Sequence, residues 1–140
     1  MVELILLTKD DLSFLLEIRN DLTARVNLEN DSVFTLDQCK LWFDTLISPW
    51  YIIKINDISV GYFRTDGVTV GCDIHPKHRR NGYAKQAYLK YLEDKQYAEL
   101  WVFEDNFAKN LYVDLGFKEV NETKYIRNRL YIKMIWKNEK

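Results

Sequence analysis

The chain has 140 residues, of which 47% are hydrophobic and 14% aromatic, enough apolar material for one core and too short a chain for two cores joined by a linker. Twenty basic residues against 21 acidic ones leave a formal net charge of -1, which excludes a global field that would draw the protein onto nucleic acid or an anionic membrane. The same composition excludes a disordered or low-complexity chain.

In chain order, residues 2–7 read as a first strand. This run is far shorter than a membrane span, has acidic flanks and lacks a small-residue cleavage site, so no export or anchor signal is read and the expected location is the cytoplasm. Thr8 and Asp11 form a capping box that opens a helix running towards Asn20, with Leu12, Leu15 and Leu16 on its buried face. The stretch 21–34 has no sustained period and is rich in Asn and Asp, which predicts a surface connection with room for a short helical turn. Thr35 and Gln38 form a second capping box, and Leu36, Cys39, Phe43 and Leu46 recur at helical steps, so a second helix is expected up to Ser48-Pro49.

The period then becomes that of strands. Residues 50–55, 58–64 and 68–74, separated by Asn56-Asp57 and Asp66-Gly67, predict an antiparallel meander. From Gly82, the residues Ala84, Ala87, Tyr88, Tyr91 and Leu92 mark one face of a third helix. Residues 98–103 return to strand, and Phe107, Ala108, Leu111, Tyr112 and Leu115 line a last helix with Gly116 just past its end. Val120 and residues 130–136 belong to two closing strands. No repeat or linker interrupts this order, which describes a single α+β (mixed α/β) domain over 1–140, one mixed sheet covered by helices. Cys39 and Cys72 lack a cysteine or histidine at ligand spacing and predict neither a disulfide framework nor a metal site.

The segment that carries chemistry is Val70-Gly-Cys-Asp-Ile-His-Pro-Lys-His-Arg-Arg-Asn-Gly-Tyr-Ala-Lys85: a strand ending at Pro76, a basic loop and a helix start. The first N–H groups of a helix have no intrahelical partner and lie at the positive end of its dipole, which makes this an anion site. Gly82 lets the anion approach without a Cβ in the way, and Lys77, Arg79, Arg80 and Lys85 supply local positive charge. Spacing alone does not say which phosphate is bound.

Arg79-Arg80-Asn81-Gly82-Tyr83-Ala84 resembles the Gln/Arg-x-x-Gly-x-Gly/Ala pyrophosphate loop of the GCN5-related N-acetyltransferases (the GNAT superfamily), and lies, as there, between the fourth strand and the third helix. Leu111-Tyr112, preceded by Ala108 and followed by Leu115-Gly116-Phe117, is similar to the family's Leu-Tyr-x-x-x-Gly-Phe helix end. Ile18-Arg19-Asn20-Asp21, Leu41-Trp42-Phe43 and Tyr131-Ile-Lys-Met134 resemble the subgroup of ribosomal-protein alanine and nucleotide-linked amino-sugar acetyltransferases. The resemblance implies the acyl-CoA N-acyltransferase fold, with a mostly antiparallel, splayed sheet of six to seven strands flanked by about four helices, and acetyl-CoA as cofactor. It implies that Arg79, Arg80, Asn81, Gly82, Tyr83 and Ala84 hold the pyrophosphate and that backbone near Asp73 and Ile74 meets the pantetheine arm. Asn106 is expected at the cofactor too, although only one residue separates it from Ala108 where the family has two, so that either Asp105 takes the Asn position or the loop is a residue shorter.

The family transfers acetyl to a primary amine by direct attack in a ternary complex, and Tyr112 occupies its acid position. An alkylammonium has a pKa of about 10.4, so a proton acceptor is needed at neutral pH. The stretch Val68-Thr-Val-Gly-Cys-Asp73 lacks the glutamate that several members keep there, which leaves Glu104, Asp73 and His75 as candidates. The acceptor is expected between the first two helices and the sheet, where Asn27, Glu29, Asn30 and Asp31 form a polar or acidic rim suited to a cation. Polyamine, amino-sugar nucleotide, protein N-terminus and aminoglycoside all fit, as a small-molecule or peptide amine, with no nucleic-acid or membrane partner. The chain would act as a monomer or a homodimer, residues 131–136 being apolar enough to meet a partner subunit. Tyr112 favours an enzyme. The missing glutamate and the altered Asn spacing favour instead a non-catalytic acyl-CoA-binding regulatory or interaction domain.

Overall fold

The computed structural model describes residues 1–139. After β1 (Glu3–Leu6), the Thr8 N–H is taken by Asp11 Oδ2 at 2.9 Å, and this start forms a separate 3₁₀ turn, Lys9–Asp11, ahead of α1 (Leu12–Arg19). Asp21 then accepts the Thr23 N–H at 3.0 Å and starts α2 (Leu22–Arg25), the short turn anticipated in the connection. α3 (Leu36–Phe43) begins with the reciprocal Thr35 and Gln38 bonds of 3.1 and 2.8 Å. It ends earlier than Leu46 because its last turn tightens: Thr45 and Leu46 bond three residues back, to Trp42 and Phe43.

The meander follows as β2 (Tyr51–Ile55), β3 (Ile58–Thr65) and β4 (Val70–Ile74). β4 starts two residues later than the sequence pattern suggests, since Asp66 Oδ1 takes the N–H groups of Val68 and Thr69 at 2.9 and 2.7 Å. A 3₁₀ turn at Pro76–His78 leads to α4 (Tyr83–Leu92), then β5 (Tyr97–Phe103), α5 (Lys109–Leu115), β6 (Lys118–Ile126) and β7 (Arg129–Lys137). Gly116 closes α5 at φ +100, as its place past the last apolar residue requires.

The strands form two antiparallel sheets rather than one mixed one, in the orders β1-β2-β3-β4 and β5-β7-β6. A single parallel bridge, Thr69 to Glu99, joins them, supported by the Glu99 N–H on the Val68 carbonyl at 2.9 Å. Beyond that point β4 and β5 part, and the splay expected from the sequence is this fork. His75 donates its N–H to Val60 at 2.8 Å, which sets the phase of β4. Asp73 therefore turns its backbone to β3, while Cys72 and Ile74 turn theirs into the fork.

Each face is covered by its own apolar layer. α4 places Ala87, Tyr88 and Leu92 against Phe63 and Val60 of the first sheet and Leu100 and Met134 of the second, so one core spans the fork from behind. Full burial of a side chain such as Phe63 contributes about 1.5–3 kcal/mol. On the other face, Leu12, Leu15 and Ile18 of α1 and Cys39 of α3 meet Ile52 and Tyr62. No helix among the described residues is long and apolar enough to cross a membrane.

Candidate active site

The fork opens into a cleft of about 870 Å³. Of the residues singled out in the sequence, Asp73, Ile74, Arg79, Arg80, Gly82, Tyr83, Ala84, Asn106 and Tyr112 line it. Asn81 does not; its carboxamide donates to the carbonyls of His78 and Arg79 at 3.0 and 3.3 Å and fixes the loop's shape. Glu104 is exposed on the turn after β5 and is not among the lining residues. His75 also lies outside the lining, stacked on Phe14 with ring centroids 5.7 Å apart, its Nδ1 accepting the Lys77 N–H.

At one end of the cleft, Gly82 caps α4 at φ +75, and a Cβ there would meet nothing within 4 Å. Space over the helix start is thus open. The first helical N–H to bond back is that of Gln86, to Gly82 at 3.2 Å, which leaves the N–H groups of Tyr83, Ala84 and Lys85 for a ligand. Arg79 is engaged within the protein: Nε donates to the Ile74 carbonyl at 3.0 Å and Nη1 to Thr23 Oγ1 at 2.6 Å, so it stitches β4 and α2 to the loop. The Thr23 hydroxyl also bonds Asp21, and this holds the Asp21 carboxyl below its ordinary value.

Deeper in, Tyr112 on α5 packs edge-on against Tyr88, with ring centroids 5.6 Å apart. Burial pushes its phenol up to about 12, so it stays neutral. The Tyr88 hydroxyl is enclosed and makes no hydrogen bond of standard geometry; burial, and then the neighbouring Tyr112, push its pKa up. Burial likewise raises the Cys72 thiol, which removes its nucleophilic character. Asp73 accepts the Tyr62 hydroxyl at 2.7 Å, and Tyr62 is stacked on Trp50. Asn106 accepts the Ala108 N–H at 2.9 Å and faces the cleft, whereas Asp105 is taken by Arg129 at 2.7 Å.

The acceptor-side rim differs in charge from the sequence expectation. Glu29 is paired with Lys124 at 2.9 Å and Asp31 with Arg127 at 3.4 Å, so the acidic groups there are neutralised by the β6–β7 hairpin. Arg64 of β3, in the cleft lining, is the site residue that sequence reading missed. Its signal was the one charge inside a mostly apolar strand, facing a glycine.

Two antiparallel sheets forked at one bridge, with a bare helix N-terminus at the mouth, define an acyl-CoA N-acyltransferase fold of the α+β class. Solved N-acetyltransferases share it. Spermidine N-acetyltransferase from Vibrio cholerae, in complex with CoA and spermine, superposes with a TM-score of 0.86 at 18% identity, over 97% of this chain and 95% of that one. Ribosomal-protein-alanine N-acetyltransferase from Brucella melitensis gives 0.77 at 17% identity over 99% of both chains, and an N-acetyltransferase from Staphylococcus aureus gives 0.77 at 18% over 98% of both. No family model and no curated protein matches the sequence.

Proposed function

We propose that this protein is an acetyl-CoA-dependent N-acetyltransferase of the GNAT type, a single domain working in the cytoplasm by direct attack within a ternary complex. The observation that carries the reading is the fork. The backbones of Cys72 and Ile74 face into it, an open helix start lies at its mouth, and a neutral buried phenol stands inside. A fold shared with proteins solved in complex with CoA supports the choice of cofactor. The residues fit that group, since the space above Gly82 is one a Cβ would leave clear of clashes and a phosphate can enter.

In this reading the N–H groups of Tyr83, Ala84 and Lys85, with Arg80, hold the pyrophosphate, while Asn81 and Arg79 keep the loop in shape. Ile74 and Asn106 lie along the arm. When bound, acetyl-CoA supplies an activated acyl thioester. Tyr112 keeps its proton on the phenol oxygen at neutral pH and stands as donor to sulfur. Asp73, a cleft carboxylate oriented by Tyr62, takes the amine's proton, and Glu104 lies outside the lining.

The test is calorimetric titration of CoA and acetyl-CoA into wild type and Gly82→Asp. Aspartate tolerates positive φ better than most residues, so the variant reports on charge at the anion site rather than on folding. Micromolar binding that Gly82→Asp abolishes is expected. A wild type that binds neither ligand overturns the reading, and binding without turnover of any amine leaves the non-catalytic acyl-CoA-binding domain.

A further inference from the structure

The cleft contains a cation that the reading above does not use. Arg64 stands directly opposite Gly71 of β4, on the face that also carries Tyr62 and Asp73. Because Gly71 has no side chain, the guanidinium lies across β4 towards the fork: a Cβ on Gly71 would fall 2.4 to 2.5 Å from Arg64 Cζ, Nε and Nη2. The Nε is enclosed and has no hydrogen-bond partner, and Arg64 forms no ion pair among the described residues. An enclosed donor without a partner is costly, and a charged one more so. Asp73 and Tyr62 lie near enough for their fields to keep the guanidinium firmly charged against its burial.

The surrounding charges decide what it can bind. Arg19, from α1, is a second cation on this face, occupied by the carbonyls of Ser32 and Asn30. The acids Glu29, Asp31 and Asp105 are paired with Lys124, Arg127 and Arg129. Asp73 is the cleft carboxylate that shares a sheet face with Arg64, while Arg80 and Lys85 lie at the helix start with the pyrophosphate loop, so an anion beside the ammonium at Asp73 would meet Arg64. A polycationic amine would meet Arg64 unfavourably, whereas a molecule with an anion beside its amine satisfies both groups.

Resting on the acetyltransferase reading, we propose that the acceptor is a small zwitterionic amine of the amino-acid type, with its ammonium at Asp73 and its carboxylate on Arg64. In the transfer the amine nitrogen bonds to the acyl carbon as the carbon–sulfur bond breaks. The ammonium loses two protons, one ending on sulfur as CoA thiol and the other reaching solvent, and the acceptor carboxylate is unchanged.

Thiol release is measured with free amino acids, their carboxamides and spermidine, on wild type, Arg64→Gln and Arg64→Lys, beside acetyl-CoA calorimetry on each. Wild type is expected to prefer an acid over its amide by roughly 100-fold in kcat/KM, and Arg64→Gln by less than about 3-fold, with acetyl-CoA affinity retained and part of the preference recovered in Arg64→Lys. Wild type that binds acetyl-CoA but acetylates amides or spermidine as well as acids, or acetylates no amine, overturns this inference and leaves cofactor binding standing. So does Arg64→Gln that keeps the preference. Absence of acetyl-CoA binding would instead remove the acetyltransferase reading beneath it.

Discussion

Gly61 and Gly71, on adjacent strands, should respond oppositely to the same substitution. A Cβ on Gly61 would lie 2.5 Å from the Asp73 carbonyl oxygen, about 0.5 Å inside the 3.0 Å that real Cβ atoms keep, and 3.1 Å from Ile74 Cα. Those neighbours are β4 backbone, so β3 and β4 must separate, an overpacking cost of about 1–3 kcal/mol. Replacing a strand glycine returns about 0.5–1 kcal/mol of backbone entropy. Gly61→Ala should thus lose about 1–2 kcal/mol net, or roughly 3–7 °C in Tm for a domain of this size. On Gly71 the clash is with the far end of the flexible Arg64 side chain rather than with backbone. That end can swing away, and Gly71→Ala should keep its Tm within about 2 °C of wild type, while its preference for acids over amides collapses. Scanning calorimetry on both variants checks this. Equal losses of Tm, or none in Gly61→Ala, would refute the claim that rigid backbone and flexible side chain decide the outcome.

Tyr112→Phe should reduce kcat by about 100-fold with little change in acetyl-CoA affinity measured by calorimetry. Because burial lifts the Tyr112 phenol to about 12, its proton is held below that value, so the kcat profile of wild type should show no alkaline fall due to this group up to pH 10 or so. Glu99 lies below its usual 4.5, chiefly through the hydrogen bond from Lys133 at 2.8 Å. Its contribution to stability is complete above that unfolded value and is lost as pH falls through the lower folded one. Lys133→Met should flatten the acid side of a Tm-against-pH curve, and an unchanged curve would show the pair contributes nothing.

Local chemistry that repeats across proteins was readable here. Capping boxes at Thr8 and Thr35, the turns at Asn56-Asp57 and Asp66-Gly67, and Gly116 past the last helix each depend on a few neighbouring atoms, and each marks a real boundary to within a few residues. β6 was nearly invisible: residues 118–126 are mostly charged or polar and mostly exposed, so they carry no period. Pairing to β7 makes them a strand, through a turn at Arg127 and Asn128 where both φ are positive. Two sheets could not be told from one, because a single bridge at Thr69 and Glu99 is a matter of tertiary placement. Among site residues, the loop around Gly82 stood out because its motif is continuous in sequence. Arg64 did not, since its meaning comes from Gly71 across the strand pair.

The β6–β7 hairpin is fastened to residues 26–31 by cations. Arg127 reaches the carbonyls of Leu28 and Glu29, Arg129 that of Val26, and Lys124 the Glu29 carboxylate. The opposite wall, at α4, is held by apolar burial. The two sides of the cleft consequently have opposite salt signatures. The Debye length falls from about 8 Å at 0.15 M to about 3 Å at 1 M, which weakens exposed ion pairs, while sulfate strengthens the burial of apolar surface. Concentrated sulfate should therefore loosen the ion-paired β6–β7 side of the cleft while it tightens the apolar α4 side, so one solution variable would act on its two halves in opposite directions.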